Sequence, residues 1–224
     1  MIKKFLAAVL MTISSAAALA VPFGSQSVLV VEDDTGKVLF EKNSAAVVPI
    51  ASLTKLMTAM VVLDAHQDMN EPIEIEKQDV DMLKHSTSRV PVGATIPRRD
   101  VLQLALMSSD NRAAAALGRT YPGGVEAFRA AVKRKIAALG MTQTVIEEPT
   151  GLSPHNQSSA TDLVKMATAA ANYPEITRIT TSSKDLINIK GREVEYQTPT
   201  AWLAPRAGTS ACRRPATPRK RAAA

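Results

Sequence analysis

Residues 50–65 read IASLTKLMTAMVVLDA, with Leu53, Met57, Met60 and Val61 recurring at helical spacing. A largely buried helix is expected to begin near Ser52. Ser52 and Lys55 stand one helical turn apart, so both side chains project from one face close to the helix start. A serine hydroxyl is a poor nucleophile until a base takes its proton, and a lysine amine in a desolvated site can be neutral enough to take it. The helix N-terminus also favours negative charge developing beside Ser52. The plainer reading of the same pair is a helix start with a capping serine and an exposed lysine.

Working outward, residues 98–119 carry two helical stretches, RRDVLQLALM and NRAAAALGR, that meet at a polar corner containing Ser109, Asp110 and Asn111. At such a corner the Ser109 hydroxyl can relay a proton. The Asn111 amide offers both a donor and an acceptor, suited to holding Lys55 and a substrate amide. The competing reading is a helix cap, since all three residue types cap well, and Asp110 is assigned a structural role.

The remaining pattern is mixed. Val28–Val31 and Val38–Phe40 are two β-rich runs around a glycine turn, which predicts a hairpin. Residues 67–99 are polar with short apolar strips such as 72–75, and are expected to form loops with small strands. Val125, Phe128, Val132 and Ile136 form one helix face that Gly140 should terminate. Ser159 and Asp162 resemble a capping box, and residues 179–197 suggest a strand pair turning at Lys190 and Gly191.

Taken with VPVGAT (90–95) and PTGLSPHNQSSATDL (149–163), the Ser52/Lys55 and Ser109-Asp110-Asn111 motifs resemble the low-molecular-mass penicillin-binding proteins, the serine D-alanyl-D-alanine peptidases. The likeness runs from about Val28 to Gln197 and is nearest the D-alanyl-D-alanine endopeptidase branch. It implies a β-lactamase/transpeptidase-like α/β (α+β) fold: an antiparallel sheet flanked by helices, with a helical subdomain carrying Ser109-Asp110-Asn111. It further implies Ser52 as the acylated nucleophile, Lys55 as its general base, Ser109 as proton relay, and Asn111 as clamp for Lys55 and substrate. The implied substrates are D-Ala-containing stem or cross-bridge peptides of peptidoglycan, with β-lactams as covalent inhibitors and no metal or organic cofactor. A β-lactamase is less favoured, because no residue is recognisable as its deacylating carboxylate.

Charge and the chain ends refine this reading. Of 27 basic residues, six (Arg206, Arg213, Arg214, Arg219, Lys220 and Arg221) follow Gln197, and the other 21 match the 21 acidic residues. The net charge of +6 therefore belongs to the tail and gives no reason to expect nucleic-acid binding by the body. Residues 1–20, with Lys3, Lys4, an apolar run and small residues ending at Ala20, read as a secretory signal peptide, so an exported, periplasmic protein is expected. The apolar run is short for a membrane anchor, and no later segment is long and apolar enough to span a bilayer. The single cysteine, Cys212, allows no intramolecular disulfide, and His66, His85 and His155 lack metal-ligand spacing.

The family's third motif, Lys-Thr-Gly, occurs nowhere in the sequence. Composition changes abruptly after Gln197. If each codon is read from the last base of one residue and the first two of the next, Arg213 to Thr217 can spell KTGY. In the same frame Ala207 to Thr217 can spell WDIGLQKTGY, and the remainder TSEAGRC. The organisation expected is thus a signal peptide (1–20), an incomplete transpeptidase-like domain (21–197) lacking its C-terminal strands, and a basic tail (198–224) produced by a frameshift. The missing motif predicts impaired activity; the alternative function is a catalytically impaired chain that binds cell-wall peptides, or a non-functional truncated product.

Overall fold

The computed structural model describes residues 24–198. The expected signal peptide and nearly all of the basic tail, with Cys212, lie outside them. The chain starts with the expected hairpin, β1 (Val28–Val31) paired antiparallel to β2 (Val38–Lys42), two residues longer than its apolar run. Gly36 takes φ +68 in the connecting turn and donates its N–H to the Glu32 carbonyl. β3 (Val48–Pro49) then leads through a tight turn at Ala51–Leu53 into α1 (Thr54–Asp64).

Helix α1 is buried on every side: Met57, Met60 and Val62 lie fully inside, along with Thr54 and Thr58. Small and apolar residues all round allow neighbours on all faces, and every later helix packs against it. These are α2 (Arg98–Met107), α3 (Asn111–Arg119), α4 (Gly124–Ala138), α5 (Ala160–Ala171) and α6 (Pro174–Thr181). Two short antiparallel pairs brace the bundle, β4 (Pro72–Glu74) with β5 (Thr95–Pro97), and β3 with β6 (Gln157–Ser158). A second hairpin, β7 (Lys184–Ile189) with β8 (Arg192–Gln197), turns at Lys190 and Gly191, both at positive φ as a tight two-residue hairpin turn requires.

The architecture is the expected mixture of helices and antiparallel strands, with differences in detail. The strands form four separate two-stranded pairs among the described residues instead of one continuous sheet. Helix α6 was not anticipated: Pro174 at its first turn pre-sets the backbone, while Ile176 and Ile179 supply its buried face. On α4 the buried stripe runs through Phe128, Ala131 and Val132, leaving Val125 exposed because the helix presses its middle, not its first turn, onto the core. Ser159 does cap α5, accepting from the Asp162 N–H at 3.2 Å. The Asp162 carboxylate turns away to Gln143, Thr144 and Lys165, so only half the capping box forms.

Candidate active site

Ser52 sits in the turn Ala51–Leu53, two residues before α1 proper begins at Thr54. Neither Ile50 nor Leu53, the residues that cap the turn and the helix, makes a side-chain cap bond, and Ser52 is not used as a cap. Its hydroxyl instead meets two other side chains. Lys55 Nζ lies 3.2 Å from Ser52 Oγ, and Ser109 Oγ lies 2.7 Å from it on the other side. Lys55 is 3% exposed, so the reading of a solvated lysine at a helix start does not hold.

The surroundings of Lys55 fix what its amine can do. Nζ also donates to Asn111 Oδ1 at 2.7 Å and to the Thr150 carbonyl at 2.6 Å. Both oxygens face it as acceptors and hold two N–H groups. The third direction on nitrogen faces Ser52 Oγ, as an N–H in the ammonium and as the lone pair in the neutral amine. Burial pulls the Lys55 pKa from 10.5 down to about 8, against the opposing charges of Glu148 and Asp110. Roughly a tenth of the molecules therefore carry the neutral amine at pH 7.

The corner between α2 and α3 delivers the second pair of groups. Ser109 takes φ +54, a strained conformation for a residue with a side chain, and so turns its hydroxyl to Ser52. Asp110 caps α3, accepting from the Ala113 N–H at 3.0 Å and from Ser88 Oγ at 2.7 Å. The capping alternative is thus right for Asp110 alone; its neighbours Ser109 and Asn111 are aimed at Ser52 and Lys55. All four side chains singled out in the sequence come together at one point.

Several contributors escaped the sequence reading. The loop 147–156 is organised around the Glu148 carboxylate, which accepts from the N–H groups of Thr150 and Gly151 and from Asn156 Nδ2. Asn156 also reaches Thr54 Oγ1, and Thr58 Oγ1 donates to the Pro149 carbonyl, pinning the loop along α1. This places the Thr150 carbonyl on Lys55. Gly151, at φ +85, lies so close to the Ala51–Ser52 backbone that a Cβ there would fall 1.9 Å from the Ala51 oxygen. Proline, glycine and asparagine marked the segment as a turn, but nothing in the pattern said which group it would face. A cavity of about 440 Å³ opens here, lined by Ser52, Lys55 and Ser109 together with the apolar Leu56, Leu106 and Ile176.

The fold is that of the penicillin-binding proteins. The D-alanyl-D-alanine carboxypeptidase of Mycobacterium tuberculosis H37Rv superposes with a TM-score of 0.71 at 27% identity, over 82% of this chain and 70% of that one. The Streptomyces K15 DD-transpeptidase shares the fold, with a TM-score of 0.70 at 22% identity over 76% of this chain and 71% of that one. Residues 13–206 match the D-alanyl-D-alanine carboxypeptidase family, and the chain belongs to it. A D-alanyl-D-alanine endopeptidase of Pseudomonas aeruginosa is 49% identical over 163 residues, covering 73% of this chain and 53% of that protein. A D-alanyl-D-alanine endopeptidase of Escherichia coli K12 is 46% identical over 162 residues, covering 72% and 52%. The chain spans about half the length of these curated relatives.

Proposed function

We propose that the chain is a serine-type D-alanyl-D-alanine peptidase, acting on peptidoglycan stem or cross-bridge peptides through an acyl-enzyme on Ser52, with a rate limited by the missing Lys-Thr-Gly motif. The observation that carries this reading is the Lys55 amine, buried, with two of its directions taken by acceptors and the third facing the Ser52 hydroxyl. Ser52 Oγ attacks the carbonyl carbon of the D-Ala bond while its proton passes to Lys55 Nζ. The C–N bond then breaks, and the leaving amine takes a proton through Ser109. Water attacks the resulting ester, releases the acid and returns the hydroxyl to Ser52. β-Lactams present a strained amide to the same hydroxyl and are proposed as covalent inhibitors. Asn111 is assigned to hold both Lys55 and the substrate amide, and the N-terminal sequence supports an exported, periplasmic protein.

Labelling with a fluorescent penicillin tests the proposal: covalent label on the chain, lost in Ser52→Ala, is the expected result. A folded chain that takes no label overturns it. The absence of Lys-Thr-Gly from the sequence favours that second reading, a chain that binds cell-wall peptides without cleaving them. For the tail we propose a frameshift near codon 198, and the gene's nucleotide sequence decides it. A single-base change there should restore Lys-Thr-Gly, and the idea fails if none does.

A further inference from the structure

Segment 81–90 reaches the site through a chain of hydrogen bonds with a definite direction. The buried Asp81 carboxylate accepts from the N–H groups of Leu83 (2.8 Å), Lys84 (3.0 Å) and Ser86 (2.9 Å), and from Ser86 Oγ at 2.6 Å. Burial opposes charge on Asp81, but these donors together hold its carboxyl well below the usual carboxylate range. An ionised carboxylate only accepts, so the single Ser86 hydroxyl hydrogen is committed to it. Toward Asn111, Ser86 Oγ can then only accept, and it takes the Asn111 Nδ2–H at 2.8 Å. That leaves Asn111 Oδ1 on the Lys55 side, 2.7 Å from Nζ.

We infer that Asp81 and Ser86 are positioning residues that lock the Asn111 amide with its oxygen toward Lys55, so that the neutral Lys55 amine keeps its lone pair for Ser52. The inference rests on Lys55 acting as the base proposed above. The lock matters in the neutral state. An ammonium would attract the amide oxygen by itself, whereas a neutral amine could also accept from Nδ2–H if the amide turned over. That bond would occupy the lone pair and take the base away from the hydroxyl. The charged groups bearing on Lys55, Glu148 from the loop after α4 and Asp110 at the start of α3, act on its charge and not on the amide's orientation.

The test reads Lys55 directly, by NMR titration of its 13Cε and 15Nζ signals in the free protein, assigned by their loss in Lys55→Met. In Ser86→Ala the amide is released and the neutral amine gains a donor. The Lys55 midpoint should fall by about one pH unit, a tenfold loss of proton affinity, and Ser86→Thr should restore it. A Ser86→Ala protein that folds with an unchanged midpoint, or a folded Ser86→Thr that fails to restore it, overturns the inference. If Ser86→Ala does not fold, the wild-type amide decides: Asn111 Nδ2 protons close to Ser86 Hβ support it, and the same protons close to Lys55 Hε overturn it. None of these readings needs turnover, so a chain that takes no penicillin can still pass, and a labelled chain can still fail.

Discussion

At the residue scale, Lys55 sets the pH behaviour. With its pKa near 8, acylation by penicillin should fall about tenfold for each pH unit below about 8 and level off above it, as stopped-flow labelling across pH 6–10 measures. The same group has a stability signature. Unfolded, Lys55 binds its proton up to about pH 10.5; folded, it releases it near 8. Below pH 8 the buried ammonium costs the fold roughly 3 kcal/mol, and that cost is relieved as pH rises from about 8 to 10.5. Glu148 raises the Lys55 pKa, so Glu148→Gln should move the acid limb of the labelling profile to lower pH. The same substitution should lower the melting temperature, because charge-assisted bonds to the Thr150 and Gly151 N–H groups are weakened. Gly151→Ala combines a left-handed φ with a 1.9 Å overlap on the Ala51 carbonyl; a loss of about 3 kcal/mol in urea unfolding is expected. Labelling should fall with it, because Ser52 follows Ala51.

At the element scale, two helix caps separate stability from function. Ser159→Ala removes the cap of α5, which makes no bond to Ser52, Lys55, Ser109 or Asn111, and should cost about 1 kcal/mol with labelling unchanged. Asp110→Ala removes the cap of α3 and the tie to Ser88 at the turn that carries Ser109 and Asn111. It should cost a similar amount in urea unfolding and slow labelling severalfold as well, since the α2–α3 corner is held in a strained conformation by its neighbours. Elements with a strong local signal were legible beforehand: α1 from its apolar spacing, the β1–β2 hairpin from its glycine turn, and the end of α4 at Gly140, which takes φ +62. Helix α6 was not, because eight residues rich in Thr and Ile carry no helical signal stronger than their β propensity. Its helical state is settled by Pro174 and by packing of Ile176 and Ile179.

At the scale of the whole molecule, the β1–β2 hairpin pairs with no other strand among the described residues. Val38 and Leu39 in it are half exposed or more, at 50% and 57%, and Leu186 on β7 is 56% exposed. Exposed apolar side chains such as these promote association, so the chain should aggregate, as light scattering measures. A chain that stays monodisperse on concentration would count against this. Restoring the reading frame proposed above should raise the melting temperature and suppress that aggregation. The sequence by itself determined the family likeness, the three-residue spacing that pairs Ser52 with Lys55, and the polar corner of Ser109 and Asn111. Those features depend on residue type and spacing along one helix or one turn. Only the tertiary structure decided which groups surround the Lys55 amine. The Thr150 carbonyl comes from 95 residues away and Asn111 from 56, while Ser86 and Asp81 act through Asn111. Such partners leave no local periodicity, because their meeting is set by how a loop and a helix corner pack against α1.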